Sequence, residues 1–354
     1  MSAPSYTDRV LGCLLGGAVG DALGASVEFM SMREIIAAFG EAGIREPAPA
    51  YGRVGAITDD TQLTLFTAEG ALRALAPGAG DPSSVIHRAL LRWLYTQGER
   101  SPVLGEPDGW LVERRELFTR RAPGATCLAA LRATRRLGEA AQNDSKGCGA
   151  IMRVAPIGLV GAARGESGRW GGVAQTFDVA CGCARATHGH PDSTFAAGVF
   201  ALAIAKLAEG ASLSDAIAHG RQQLDGEPLA ARVLAAVDAA EGLARSEAPS
   251  DPEIVASLGE GWVAEEALAI ALFCALRASD FAQGVRLAVN HGGDSDSTGS
   301  LAGQLLGTLW GADAIPATWR DQLELRAVIE AIAEDLGATA TGRSLPVQRA
   351  YPGW

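Results

Sequence analysis

β-Strand signals are scarce in this sequence. No run of Val, Ile, Thr or aromatic residues alternates over six or more positions, and aromatics make up only 6% of the chain. A sheet-built fold is therefore not expected. C-x-x-C spacing is missing too. Cys13, Cys127, Cys148, Cys181, Cys183 and Cys274 form no C-x-x-C pair, which argues against structural zinc and against a thioredoxin-like motif. The CGC at 181–183 is spaced too tightly for an ordinary zinc knuckle. A chain of 354 residues is too large to be a disulfide-dependent scaffold, so reduced thiols in a cytoplasmic protein are expected.

Positive charge is also in short supply. Thirty basic residues face 41 acidic ones, a net charge of −11. This argues against a nucleic-acid backbone as partner, because such proteins carry basic surfaces. A small anionic ligand needs only a local site and stays open. The N-terminal stretch MSAPSYTDRVLGCLLGGAVGDALG carries Asp8, and Asp21 interrupts its apolar part. Neither a signal peptide nor a membrane span fits. There is no repeat of fixed period. The Gly- and Pro-rich breaks at 76–82, 101–109, 121–126 and 246–252 are too short for a linker. One domain over 1–354, acting as a monomer, is the expectation.

What the chain does have is Ala, Leu and Ile at helical spacing. FAAGVFALAIAKLAEG (195–210) and AEEALAIALFCALRAS (264–279) are apolar nearly all round, as helices surrounded by other helices are. DPSSVIHRALLRWLYTQ (81–97) and RDQLELRAVIEAIAEDL (320–336) are amphipathic, and the first opens with an Asp-Pro start signal. The pattern predicts an all-α, multi-helix domain with its polar motifs at helix ends and loops.

Four segments break that pattern. In GGAVGDALGASVEF (16–29), Asp21 and Glu28 lie seven apart, on one face if the helix continues. The alternative is a Gly-rich helix packed closely on a neighbour, with Asp21 capping an end. In GAITDDTQLTLFTAEG (55–70), Thr58, Asp59, Asp60 and Thr61 precede an apolar run. An N-cap with dipole-favoured acids accounts for one acid, but adjacent aspartates also make the hard oxygen cluster that Mg²⁺, Mn²⁺ or Ca²⁺ selects. NDSKGCGAIMRVAPIGL (143–159) offers Gly147 and Gly149 as an anion nest at a helix start, or as a plain turn. His188 and His190 follow nearby as metal ligands or ordinary polar residues. In HGGDSDSTGS (291–300), Asp294 and Asp296 again precede an apolar run. Two such clusters at two helix starts suggest convergence. Their summed charge calls for a cation, which two divalent ions sharing a bridging carboxylate would supply.

These residues resemble the ADP-ribosylglycohydrolase family, the group of dinitrogenase reductase-activating glycohydrolases and ADP-ribosyl-acceptor hydrolases. The matching elements are GCLLGGAVGDALGASVE, GAITDDTQLTLFTAEGA, RAPGATCLAAL, SKGCGAIMRVAPIGL, ATHGHPDS and NHGGDSDSTGSLAGQLLG, in the family's order from about residue 11 to 311. The resemblance implies an all-α fold with a binuclear magnesium or manganese site in a central cleft. Thr58, Asp59 and Asp60 would hold one ion, Asp294 and Ser297 the other, and Asp296 would bridge. It implies Glu28 near the metals, with Glu28 and Asp59 as candidates for the catalytic proton work. Ser145, Gly147, Cys148 and Gly149 would contact a diphosphate, His188 would lie beside the nucleotide, and Trp262 is a stacking candidate for adenine. The implied reaction is hydrolysis of the bond between ADP-ribose and an acceptor on a protein or small molecule. The DSDS form resembles the arginine-specific branch more than the serine-specific one. A binding module and a non-catalytic relative are the competing readings, but the chain keeps every acidic ligand. A two-metal phosphoesterase would draw on several histidines, and this chain has five.

Overall fold

Glycine spacing sets the centre of the fold. In the computed structural model, which describes residues 3–164, 173–247, 252–340 and 351, the first helix is Tyr6–Gly24. Its Gly12, Gly16, Gly20 and Gly24 recur every four residues and share a face. Gly299, Gly303 and Gly307 do the same in the helix Ser295–Trp310. The two helices meet along these faces, backbone against backbone. A β-carbon on Gly12, Gly16 or Gly20 would overlap the carbonyl oxygen of Gly307, Gly303 or Gly299 respectively. The pairing is antiparallel, so the C-terminal end of the first helix lies beside the N-terminal end of the second. Asp21 and Asp296 are thereby brought together from opposite ends of the chain. The close-packing alternative for residues 16–29 is the one realised. The helix ends at Gly24, and Glu28 sits in the turn beyond it, so the two acids do not share a helical face.

The described residues form sixteen α-helices and one sheet, a two-residue hairpin pairing Pro49–Ala50 with Arg53–Val54. One apolar core runs from Val10 to Tyr351. Pro191–Ala208 is long and apolar enough to cross a membrane by length and composition. It is buried against its neighbours on nearly every position, as its all-round apolarity requires. The Asp81 side chain caps Pro82–Thr96 by accepting from Ser84 N at 2.9 Å.

The amphipathic run 320–336 does not form one helix. It breaks between Ala317–Gln322 and Arg326–Ala340, with Leu325 at φ +56°. The break turns Glu324 inward. Its amide donates to Gly55 O at 2.9 Å, and its carboxylate takes a two-pronged grip from Arg121 at 2.6 and 3.1 Å. Arg121 also donates to Ile57 O at 3.0 Å, and Asp59 N donates to Arg121 O at 3.2 Å. The local helix is given up to fasten the loop in front of the first acidic motif.

Candidate metal and nucleotide site

The first acidic motif is held by a residue thirty-seven positions earlier. Asp21 is fully buried and accepts from Thr58 N, Thr58 Oγ1, Thr61 N and Thr61 Oγ1 at 2.5 to 3.1 Å. It caps the N-terminus of Asp59–Ala74 from another helix, satisfying amides that the helix cannot satisfy itself. Thr58 is the N-cap proper, its Oγ1 accepting from Asp60 N at 3.3 Å. Asp59 and Asp60 are thus freed from capping. Asp59 accepts from Gly124 N at 3.3 Å and from its own amide, and Asp60 Oδ1 is buried with no hydrogen-bond partner.

The second motif behaves alike. Asp294 occupies the N-cap position of Ser295–Trp310, yet its side chain accepts no amide from that helix. Its Oδ2 is buried and unpartnered. Asp296 Oδ1 accepts from Ser297 N at 2.9 Å. The overloaded-cap reading therefore fails at Asp294.

These acids face one cleft of about 210 Å³. Of the residues singled out from sequence, Glu28, Asp59, Asp60, Gly147, Cys148, Gly149, His188, Trp262, Asp294, Asp296 and Ser297 line it. Thr58 lies behind it, between Asp21 and Asp296. Ser145 lies at its edge, its Oγ 3.3 Å from that of Thr126. Glu28, Asp294 and Asp296 each bring a carboxylate oxygen within 4.8 Å of the others, and Glu28 Oε2 is unpartnered as well.

The electrostatic consequence is large. Burial, and next the charge of Asp296, pushes Asp21 up to about 7 and Glu28 up to about 11. The same causes raise Asp59, Asp60 and Asp294 well above the usual carboxylate range, and burial raises Asp296. Buried carboxylates with orphaned oxygens and no ion pair among the described residues are costly unless a cation lies between them. The donor set is all oxygen, which fits hard divalent ions such as Mg²⁺ or Mn²⁺.

The far wall is the Ser145–Gly149 segment. It is not a nest of successive free amides: Cys148 N donates to Trp262 O at 3.0 Å, Ala264 N to Lys146 O at 2.8 Å, and Ala150 N to Gly147 O at 3.3 Å. The glycines serve proximity instead. A β-carbon on Gly147 or Gly149 would come within 3.1 Å of the His188 ring. His190 is a helix cap, its Nδ1 accepting from Asp192 N at 3.0 Å. At the mouth Trp262, 39% exposed, stacks on Phe29, 74% exposed, with ring centroids 6.2 Å apart.

The sequence offered Asp21 as capping an end, and the structure shows that the end belongs to another helix, Asp59–Ala74; the Arg121–Glu324 clamp and Arg153 behind the Gly147–Gly149 turn were not singled out. Asp21 and Arg153 stand inside motifs quoted from the sequence, but their partners are remote in the chain.

Comparison with known proteins identifies the family. The ADP-ribosylglycohydrolase family model matches residues 2–345. The chain is 28% identical to the ADP-ribosyl-[dinitrogen reductase] glycohydrolase of Rhodospirillum rubrum, covering 92% of this chain and 94% of that one. It is 28% identical to the ADP-ribosylarginine hydrolase Tri1 of Serratia proteamaculans, over 93% and 79%, and 25% to mouse ADP-ribosylhydrolase ARH3, over 95% and 92%. A solved structure titled ADP-ribosylglycohydrolase-related protein complex superposes with a TM-score of 0.68 at 30% identity, covering 95% of this chain and 99% of that one. An all-α chain whose two acidic helix starts meet in one cleft, and which the family model spans almost end to end, belongs to the ADP-ribosylglycohydrolase family, enzymes that hydrolyse ADP-ribose linkages.

Proposed function

We propose that the protein removes ADP-ribose from arginine side chains of modified proteins, cutting the bond to the ribose C1″ and so reversing mono-ADP-ribosylation. The observation that carries this reading is the convergence of Glu28, Asp59, Asp60, Asp294 and Asp296 on one cleft, with three orphaned carboxylate oxygens among them. The arginine preference is supported by Ser297 in the DSDS form of the second motif and by the Serratia relative named for that substrate.

Thr58, Asp59 and Asp60 would hold one divalent ion, Asp294 and Ser297 a second, with Asp296 shared. Bound there, magnesium or manganese supplies Lewis-acid stabilisation of charge developing on the ribose. Glu28 stands at the edge of the cluster with one free oxygen, so it is suited to move a proton at the scissile bond. Asp59 keeps its second oxygen available for the same work while Gly124 N holds the first. The Ser145–Gly149 wall and His188 would take the diphosphate side of the nucleotide, and Trp262 the adenine. The acceptor is tested by incubating the protein with peptides carrying ADP-ribose on arginine or on serine, and with free ADP-ribosylated nucleotide, and reading products by mass spectrometry. Release from arginine alone is expected. Release only from serine would move the assignment to O-linked ADP-ribose.

A further inference from the structure

Arg153 is a buried cation that the fold leaves without an acid. It is 0% exposed, and among the described residues no carboxylate oxygen lies within 4.0 Å of it. The other arginines at 0% exposure differ, since Arg73 and Arg92 share Glu69, whereas the less deeply buried Arg9 donates to the carbonyls of Thr308 and Leu309. The guanidinium of Arg153 donates instead to four neutral acceptors: Cys127 Sγ at 3.6 Å, Gly149 O, Cys183 O at 3.0 Å and Thr187 Oγ1 at 2.7 Å. An uncompensated buried charge is expensive, and this one stands directly behind the Gly147–Gly149 wall of the cleft.

Its contact with Thr187 sets the state of a second residue. Thr187 Oγ1 accepts from Arg153, so its own proton must go elsewhere. Three acceptors are in reach, His188 Nδ1 at 2.8 Å, Ala184 O at 3.4 Å and the Cys127 sulfur. With the proton placed along the shortest contact, Nδ1 is the acceptor and the ring proton is left on Nε2. That nitrogen lies against the Gly147 turn, and His188 lines the cleft. Burial, and next the charge of Arg153, pushes His188 down to about 3, so the ring is neutral and donates through Nε2 only. Each donor in the chain polarises the next.

We propose that Arg153 and Thr187 are positioning residues that lock His188 as an Nε2–H donor aimed into the cleft, and that the diphosphate of the ligand balances the charge of Arg153. The second half rests on ADP-ribose being the ligand; the first does not. Long-range ¹⁵N–¹H correlation spectra of the free, ¹⁵N-labelled protein read the tautomer, with His188→Gln identifying the resonances. An Nε2–H ring is expected, blurred in Thr187→Val and retained in Thr187→Ser. An Nδ1–H ring in the wild-type protein overturns the relay, whatever the variants do. Calorimetry with ADP-ribose and with adenosine then reads the ligand side. Thr187→Val should weaken ADP-ribose about tenfold, the scale of a hydrogen bond to a charged group, and leave adenosine unchanged, while Thr187→Ser stays near wild type. Arg153→Lys keeps charge but loses the fork, so it should disturb the tautomer more than the preference for ADP-ribose over adenosine. Equal ADP-ribose binding by Thr187→Val, or an Arg153→Lys variant that loses the preference while keeping the tautomer, contradicts the assignment. A wild-type protein that binds no ADP-ribose overturns the functional reading and the charge balance with it, and the spectra still decide the relay.

Discussion

Asp296 is where negative charge crowds most. After burial, its carboxylate is the largest influence raising Asp21, Glu28, Asp59, Asp60 and Asp294, as suits a group shared by two cations. Asp296→Asn keeps the shape and removes the charge. Hydrolysis should fall at least about a hundredfold, because placement and charge stabilisation of the ribose are both weakened. Helix content should stay native, and in EDTA the variant should melt above the wild-type protein, since repulsion is relieved. A folded Asp296→Asn protein with near wild-type turnover would return this aspartate to an ordinary helix-start role. At this scale the sequence singled out acids that the fold brings to one cleft, because adjacent aspartates exceed what a cap needs. It was silent on Asp21 as a cap for Thr58 and Thr61, because a cap supplied from a remote helix leaves no local pattern.

Asp21 and Asp296 stand on two helices whose approach depends on having no side chains at the contact. Gly20→Ala would push a methyl group into the carbonyl of Gly299 and separate Asp21 from Asp296. We expect a loss of about 1–3 kcal/mol or more from overpacking, measured by chemical denaturation, together with reduced hydrolysis. Gly242 is the control: it lies in Ala231–Arg245 with nothing near its β-position, so Gly242→Ala should stabilise by up to about 1 kcal/mol. A Gly20→Ala protein as stable as wild type would show that the two helices can move apart freely. Helix existence was legible from apolar spacing at 81–97, 195–210 and 264–279. The break at Leu323–Leu325 was not, because residues 320–336 keep helical spacing across it. What ends the helix is the remote demand of Gly55, Ile57 and Arg121 for Glu324.

For the whole molecule, the acidic cleft makes stability depend on pH in an unusual direction. Asp21 is raised to about 7 and Glu28 to about 11, against ordinary carboxylate values near 4. Without divalent ions the folded state therefore holds protons that the unfolded chain has released, and stability falls as pH rises from about 4 through 7 and beyond. Melting in EDTA should drop between about pH 5 and 8, and saturating Mg²⁺ or Mn²⁺ should raise and flatten the curve by mass action on the folded state. Melting that climbs with pH in EDTA over that window would mean that these carboxylates are not crowded in solution. The net charge and the absence of linkers make an acidic, single-domain chain the expectation from sequence. The cleft itself arises from contacts between residues nearly three hundred positions apart, such as the antiparallel pairing of Gly16 with Gly303, which composition cannot report. The most direct measurement is turnover of an ADP-ribosylarginine peptide by protein stripped of metal, before and after Mg²⁺ or Mn²⁺ is returned. No release of ADP-ribose from the stripped protein, and full recovery on adding either ion, is the expected result. Undiminished release from protein confirmed free of metal would contradict a cation-organised carboxylate site.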